Sequence, residues 1–249
     1  MSSDTSVPPS GRTIDKTAIR NAATVIVLRD RMDTPKVLMG QRGAKAAFMP
    51  NKFVFPGGAV DPDDAGVPLV RRMPQVCRDR LLEEAEQGLS HALATAAIRE
   101  LWEETGLILG QRNTWDRKPP KDWAGFADLG YVPDAHPLQF VFRAITPPGR
   151  PRRFDARFFL VDASEVANDL DDFSSAQDEL SHLQWIPVSE VRGFDLPFIT
   201  EVVLAEVAAR VRDHTPPENV PFFNNTQEAS LFERLKGRGP LSGKPIVYD

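Results

Sequence analysis

The chain has 249 residues, 41% of them hydrophobic and 26% charged, with 30 basic against 35 acidic side chains and a formal net charge of -5. That balance suits a globular chain with one large domain or two small ones and excludes disorder as the main state. The longest stretch free of Asp, Glu, Lys and Arg, Gln87 to Ile98, is twelve residues, against the roughly 20 apolar residues of a spanning helix, and the mild acidity argues against nucleic acid as the main partner.

Met1 to Arg20 mixes Ser, Thr, Pro, Asp and Lys without the apolar core of a secretory signal, so residues 1–20 read as a flexible tail. A single cysteine, Cys77, forms no intrachain disulfide. Together these place the protein in the cytoplasm, away from membranes. Ala22 to Leu28 is a continuous β-branched run that reads as a buried strand, followed by a turn at Asp33-Thr34-Pro35 and a second strand over Val37 to Gln41. Phe53-Val54-Phe55 stops at Pro56-Gly57-Gly58, where a tight backbone excursion is expected. The charged stretch from Ala65 to Leu89 reads as an amphipathic helical excursion. Ser90 then N-caps a helix ending at Thr105 and Gly106, with Leu93, Ala94, Ala97, Ile98, Leu101 and Trp102 as its inward stripe.

Four strands are expected next, at Leu107 to Leu109, Phe126 to Val132, Leu138 to Ile145 and Ala156 to Val161, with a shorter extended piece at Trp185 to Pro187. Val188 to Val191 begins a small helix. Pro197 opens another, with Phe198, Val202, Val203, Ala205, Val207 and Val211 on its apolar side. Thr215 to Asp249, rich in Pro, Gly and Asn, reads as an irregular extension. The expected architecture is a single α/β domain over 21–214 with a mixed sheet covered by helices and an insertion over 65–90.

Chemistry concentrates in Arg99-Glu100-Leu101-Trp102-Glu103-Glu104-Thr105-Gly106. At about 100° per residue, Glu100, Glu103 and Glu104 share an arc of about 100° beside the apolar stripe. Their mutual repulsion grows as they are desolvated, and only Arg99 compensates locally. A divalent cation would remove the repulsion, and hard oxygen donors suit Mg²⁺ or Mn²⁺. The plainer alternative is a solvated acidic face held by salt bridges, since three such glutamates alone arise about once in twenty chains of this length.

Arg-Glu-Leu-x-Glu-Glu-x-Gly followed by Leu107, with Pro56-Gly57-Gly58 upstream, closely resembles the Nudix hydrolase signature G-x5-E-x7-R-E-U-x-E-E-x-G-U, where U is aliphatic. The resemblance implies an α/β/α sandwich around a mixed sheet, dependence on Mg²⁺ or Mn²⁺, and hydrolysis of a small-molecule diphosphate. It makes Glu100, Glu103 and Glu104 metal ligands, with the Gly57 carbonyl as a further one. Arg99 orients the glutamates, while Gly58 and Gly106 shape the bend and the helix stop. The sequence departs from the pattern at its early acid. After a gap of five residues from Gly58 comes Asp64, and 34 residues, where the pattern has seven, separate it from Arg99. Counting backward from Arg99 lands on His91 instead. An insertion of 27 residues reconciles the two halves and leaves the role of the early acid open. This interruption, and the run Pro151-Arg152-Arg153-Phe154-Asp155-Ala156-Arg157-Phe158-Phe159, resemble the coenzyme A diphosphatase subgroup of the family.

For a water-accepting base, the candidates are Glu179, in Gln177-Asp178-Glu179-Leu180, and Glu100; Glu179 is also a candidate fourth metal ligand. Arg42, at the end of the second strand, is a candidate for holding a phosphate oxygen. For both Arg42 and Glu179 the alternative is an ordinary surface charge. Arg150, Arg152 and Arg153 form a basic loop that solvation explains, with a substrate phosphate as the functional alternative. Asp61 to Arg72 fails as a calcium loop because its twelfth position is Arg72, and Cys77 has no close histidine to make it a nucleophile. The leading expectation is a diphosphatase acting on coenzyme A or an acyl derivative. ADP-ribose, a dinucleotide or a nucleotide sugar is the alternative substrate, and a catalytically inactive nucleotide-binding Nudix fold the alternative class. A homodimer is the assembly allowed for.

Overall fold

A computed structural model describes residues 18–46, 48–86, 88–225 and 231–237. The first 17 residues of the expected tail and the last 12 of the expected extension lie outside them. In chain order the elements are β1 (Ile19–Arg29), β2 (Lys36–Arg42), β3 (Phe53–Val54), β4 (Gly57–Ala59), α1 (Gln75–Leu82), α2 (Leu89–Thr105), β5 (Gly110–Arg112), α3 (Ala124–Asp128), β6 (Tyr131–Pro133), β7 (Gln139–Ile145), β8 (Arg153–Asp162), β9 (Leu180–Pro187), α4 (Phe198–Ala209), β10 (Val220–Asn224) and β11 (Leu231–Leu235). Among the described residues nine strands form a mixed sheet in the order β11-β10-β7-β8-β1-β2-β3, with β4 joined to β1 and β9 to β2; β5 and β6 make a separate pair.

β1 organises the molecule. Its residues alternate between faces as strand geometry requires. Ala23, Val25 and Val27 join the core under α1 and α2, whereas Ile26 and Leu28 join the core under α4. The result is the expected α/β/α sandwich. One edge of β1 runs parallel to β8 from Ile19↔Arg153 to Leu28↔Asp162. The other edge is divided. β4 pairs with Ala22, Ala23 and Thr24, and β2 pairs with Leu28 and Arg29. This division lets the glycine bend enter the sheet directly below α2.

Several elements differ from the sequence reading. Ile19 and Arg20 belong to β1 rather than to a tail. α2 begins at Leu89 after Gly88, whose φ is 78°, so Ser90 sits inside the helix and does not cap it. The expected strand at Phe126 to Val132 instead starts in the last turn of α3, turns at Leu129 and Gly130, and is extended only from Tyr131. Phe126 is pulled into an aromatic cluster with Trp102 and Trp123, and Gly130 turns the chain at φ 80°. Leu107 to Leu109 is buried but unpaired as a strand, and pairing begins at Gly110. α4 points Thr200, Val203, Leu204 and Val207 inward, leaving Phe198 at 69% exposure and Ala205 outward. The stretch from Thr215, expected to be irregular, contributes β10, parallel to β7, and β11, antiparallel to β10. Among the described residues of the insertion before α2, the α-helical part is Gln75–Leu82.

Candidate active site

α2 forms because an alanine-rich sequence has high helix propensity and because its stripe, including Leu93, Ala97, Ile98 and Leu101, is fully buried. Gly106 ends it at φ 75°, its N–H donating to the Trp102 carbonyl at 2.8 Å. This holds the acidic last turns of α2 against the glycine bend. A Cβ on Gly57 would stand 2.5 Å from the Ala23 carbonyl oxygen and 2.7 Å from the Thr24 Cα, so only glycine fits beside β1 there. A Cβ on Gly58 would overlap the Glu100 carboxylate. Gly57 is therefore a spacer toward β1 and Gly58 a spacer toward α2, and the Gly57 N–H donates to Glu104 Oε2 at 2.7 Å.

Arg99 is the hub. Its Nη1 donates to Glu100 Oε1 at 2.8 Å and to Glu103 Oε2 at 3.0 Å. On the other side, Nε and Nη2 reach Asp64 Oδ1 and Oδ2 at 3.0 and 3.1 Å, and Nη2 also donates to the Ala59 carbonyl at 2.9 Å. Asp64 is 1% exposed; its Oδ2 also accepts from the Asp61 N–H, and its carbonyl accepts from Thr95 Oγ1. The early acid, whose role the sequence left open, thus meets Arg99 despite the 34 residues between them. Bidentate pairing with a buried carboxylate fixes the guanidinium plane. His91, the other counting solution, is turned instead to the Val67 carbonyl at 2.8 Å.

Burial and mutual repulsion set the electrostatics. Glu100 is pushed up to about 7, chiefly by burial; the Arg99 charge opposes this and the fields of Glu103 and Glu179 add to it. Burial raises Glu103 as well, with Arg99 opposing and Asp122 and Asp61 contributing. Burial drives Glu104 well above the usual carboxylate range, and the neighbouring Glu100 charge reinforces it. Among the described residues, Glu104 Oε1 is buried without a hydrogen-bond partner. An uncompensated buried carboxylate oxygen beside a second carboxylate is costly, and a hard cation is the partner that such a donor set fits. Among the described residues, no three acidic or imidazole side chains already converge as an ion cage. The Arg99 guanidinium stands between Glu100 and Glu103, so ligation would use the carboxylate oxygens it leaves free.

Glu179 is 137 residues from Arg42 in sequence, yet Arg42 Nη2 lies 3.0 Å from Glu179 Oε1. The approach is set by the β2–β9 ladder, which pairs Arg42 with Leu180, while the Gln177 N–H donates to the Glu103 carbonyl at 2.7 Å and fastens the loop before β9 to the end of α2. Glu179 acts on Glu100 and Glu104, and Arg42 on Glu104. Arg42 Nε is buried and unpaired. The structure therefore gathers Arg42, Gly57, Gly58, Arg99, Glu100, Glu103, Glu104 and Glu179 around one end of α2.

Other flagged groups lie elsewhere. Arg153 is tied to the Thr146 and Asn225 carbonyls, both at 3.0 Å. Asp155 pairs with Arg143 at 2.7 Å and with Arg157 at 3.1 Å, all three buried. Arg143 also holds the Glu83 and Glu84 carbonyls, both at 3.1 Å. The run around Asp155 thus anchors the insertion to the sheet. Cys77 is fully buried and its thiol is pushed up by that burial, the opposite of an activated nucleophile.

No family model matches the sequence. Over 183 residues, 69% of this chain and 52% of the relative, it is 31% identical to a protein named nudix hydrolase 7 from Caenorhabditis elegans. It is 27% identical over 179 residues to acyl-coenzyme A diphosphatase NUDT19 of Gallus gallus, covering 50% of this chain and 47% of that one. The chain thus spans about half the length of these two curated relatives. Among solved structures it is similar to a NUDIX hydrolase from Alicyclobacillus acidocaldarius, with 30% identity, a TM-score of 0.56, and coverage of 77% of this chain and 92% of the other.

Proposed function

The chain belongs to the Nudix hydrolase family, and from that premise we propose that it is a divalent-metal-dependent diphosphatase cleaving a nucleoside-linked diphosphate, with coenzyme A or an acyl derivative as the favoured substrate. The observation that carries this reading is the crowding of Glu100 and Glu104 against Gly57 and Gly58, with Glu104 Oε1 buried and unpartnered. Glu100, Glu103 and Glu104 would hold Mg²⁺ or Mn²⁺, with the Gly57 carbonyl as a further donor. The cation would supply charge neutralisation on the diphosphate oxygens and a more acidic water.

The remaining work falls to the chain itself. Asp64 fixes Arg99, and Arg99 fixes Glu100 and Glu103, so the carboxylates are oriented before substrate arrives. Arg42, paired with Glu179 beside the glutamates, would hold a phosphate oxygen through its guanidinium. In the reaction, a water oxygen forms a bond to phosphorus as the bridging P–O bond breaks. The water's proton passes to a carboxylate, for which Glu179 and Glu100 are the candidates, and the departing phosphate leaves with the bond's electrons. Likeness to a protein named acyl-coenzyme A diphosphatase and the interrupted box favour coenzyme A over ADP-ribose, dinucleotides and nucleotide sugars.

The test is a screen of the purified full chain against coenzyme A, acetyl-coenzyme A, ADP-ribose, diadenosine polyphosphates and nucleotide sugars, with Mg²⁺, Mn²⁺ or chelator, products being identified by mass. Metal-dependent release of adenosine 3′,5′-bisphosphate and a phosphopantetheine is expected. Cleavage of another member of the set alone would move the substrate assignment. Nucleotide binding with no cleavage of any of them would make the chain a binding module.

A further inference from the structure

The segment between β5 and β6 packs against the same helix that carries the glutamates. Trp102, the neighbour of Glu103, meets Phe126 edge-on with ring centroids 5.8 Å apart, and the turn at Lys121–Trp123 brings Asp122 into the field of Glu103. On its outer side this segment borders an open depression of about 480 Å³ lined by Asn113, Trp115, Arg117, Lys118, Pro119 and Asp128, among others. That volume falls in the range of small-molecule sites, roughly 300–1,000 Å³.

Three of the lining groups are suited to one kind of ligand. The Trp115 indole is half-buried and fixed, its Nε1 donating to the Tyr131 carbonyl at 2.8 Å and its ring tilted against Trp123 with centroids 6.0 Å apart. Arg117 is anchored through Nη2 on the Gly66 carbonyl, two residues beyond the Asp64 that holds Arg99. Lys118 is exposed, and among the described residues it makes no hydrogen bond or ion pair. A rigid π-face suits a nucleobase, and an exposed ammonium and a guanidinium on consecutive residues lining one depression suit a phosphate monoester.

We propose that this cavity takes the phosphorylated nucleoside end of the substrate, with the base on Trp115 and the phosphate between Lys118 and Arg117. The substrate half of the proposal rests on the diphosphatase reading above. The cavity would then confer preference for substrates that carry a phosphate on the nucleoside in addition to the diphosphate being cut.

The experiment uses the full chain with chelator present, so that cations at the glutamates contribute nothing, and follows tryptophan emission and calorimetry on adding adenosine 3′,5′-bisphosphate, AMP or adenosine. The bisphosphate is expected to bind more tightly than adenosine and to quench emission, with the quench lost in Trp115→Phe. Lys118→Ala should weaken bisphosphate binding about tenfold while leaving adenosine unchanged. In turnover, the same variant should raise KM for coenzyme A about tenfold at constant kcat and leave dephospho-coenzyme A untouched. Equal bisphosphate affinity in wild type and Lys118→Ala, or equal losses for bisphosphate and adenosine, would overturn the assignment. Lys118-dependent binding without cleavage of any diphosphate would support the cavity and strike the diphosphatase reading instead. Cleavage in which Lys118→Ala alters no parameter would strike the cavity alone.

Discussion

Replacing Glu100 by Gln should make the metal-free protein more stable, and only at neutral to alkaline pH. In the folded chain Glu100 is pushed up to about 7 from an ordinary 4.5, by burial first, with Arg99 opposing and Glu103 and Glu179 adding. The folded state therefore binds more protons than the unfolded chain between roughly pH 4.5 and 7, and by linkage its stability falls as pH rises through that window. Below it the penalty is absent; above it the penalty is full. At 1.36 kcal/mol per pH unit, with the site relaxing around the charge, it amounts to about 2–3 kcal/mol. Gln keeps the shape and an oxygen able to accept from Arg99 Nη1 but carries no charge. Thermal unfolding in chelator at pH 8 should then place Glu100→Gln about 4–8 °C above wild type, with the two nearly equal at pH 5. Adding Mn²⁺ should raise the wild type at pH 8 and the variant much less. A variant no more stable than wild type at pH 8 would refute the claim that an uncompensated buried charge sits at this position.

Asp64→Ala leaves Arg99 without its bidentate partner in a buried site, and should cost about 3–5 kcal/mol in denaturant unfolding together with most metal-dependent turnover; a loss under 1 kcal/mol would deny that the two halves of the motif meet. Gly58→Ala drives a methyl into the Glu100 carboxylate, so it should cost about 1–3 kcal/mol and lower activity, measured by thermal unfolding and steady-state kinetics; wild-type values for both would mean that the helix does not approach so closely. The Arg42–Glu179 pair is partly exposed, with 57% of the Glu179 side chain accessible, so Glu179→Gln should change stability by less than about 1 kcal/mol. If Glu179 accepts the water's proton, the same change should lower kcat about 10²–10⁴-fold, and an unchanged kcat would return it to the status of a surface acid.

What was legible in the sequence was local. The period of Leu93, Ala97, Ile98 and Leu101 and the stop at Gly106 describe α2 without reference to anything else, and the β-branched run from Ala22 describes the middle of β1. The position of Glu100, Glu103 and Glu104 on one rim follows from helix geometry alone. What the sequence hid depends on tertiary partners. Phe126 to Val132 looks extended by composition, but Phe126 finds Trp102 and Trp123 and takes a helical turn to do so. β10 lacks a local signal because it is a strand only in the company of β7 and β11. α4 has apolar residues nearly all round, so its inward face is chosen by the sheet, which takes Val203, Leu204 and Val207 and leaves Phe198 out. In the site, counting from Gly58 reached Asp64, but only the path of the insertion, anchored by Arg143 on Glu83 and Glu84, returns Asp64 to Arg99. The Arg42–Glu179 contact likewise needs the β2–β9 register that sets Arg42 opposite Leu180, which no spacing rule encodes.

The most direct test of the central claim is diphosphate cleavage by wild type, Glu103→Gln and Glu104→Gln across a Mg²⁺ titration, with each variant's folding verified by circular dichroism. Wild type should be inactive in chelator and saturate with Mg²⁺. Both variants should stay folded and cleave at least about 100-fold more slowly at any Mg²⁺ concentration. Full turnover in both variants, or full wild-type turnover in chelator, would contradict the assignment of these carboxylates as the ligands of a catalytic cation.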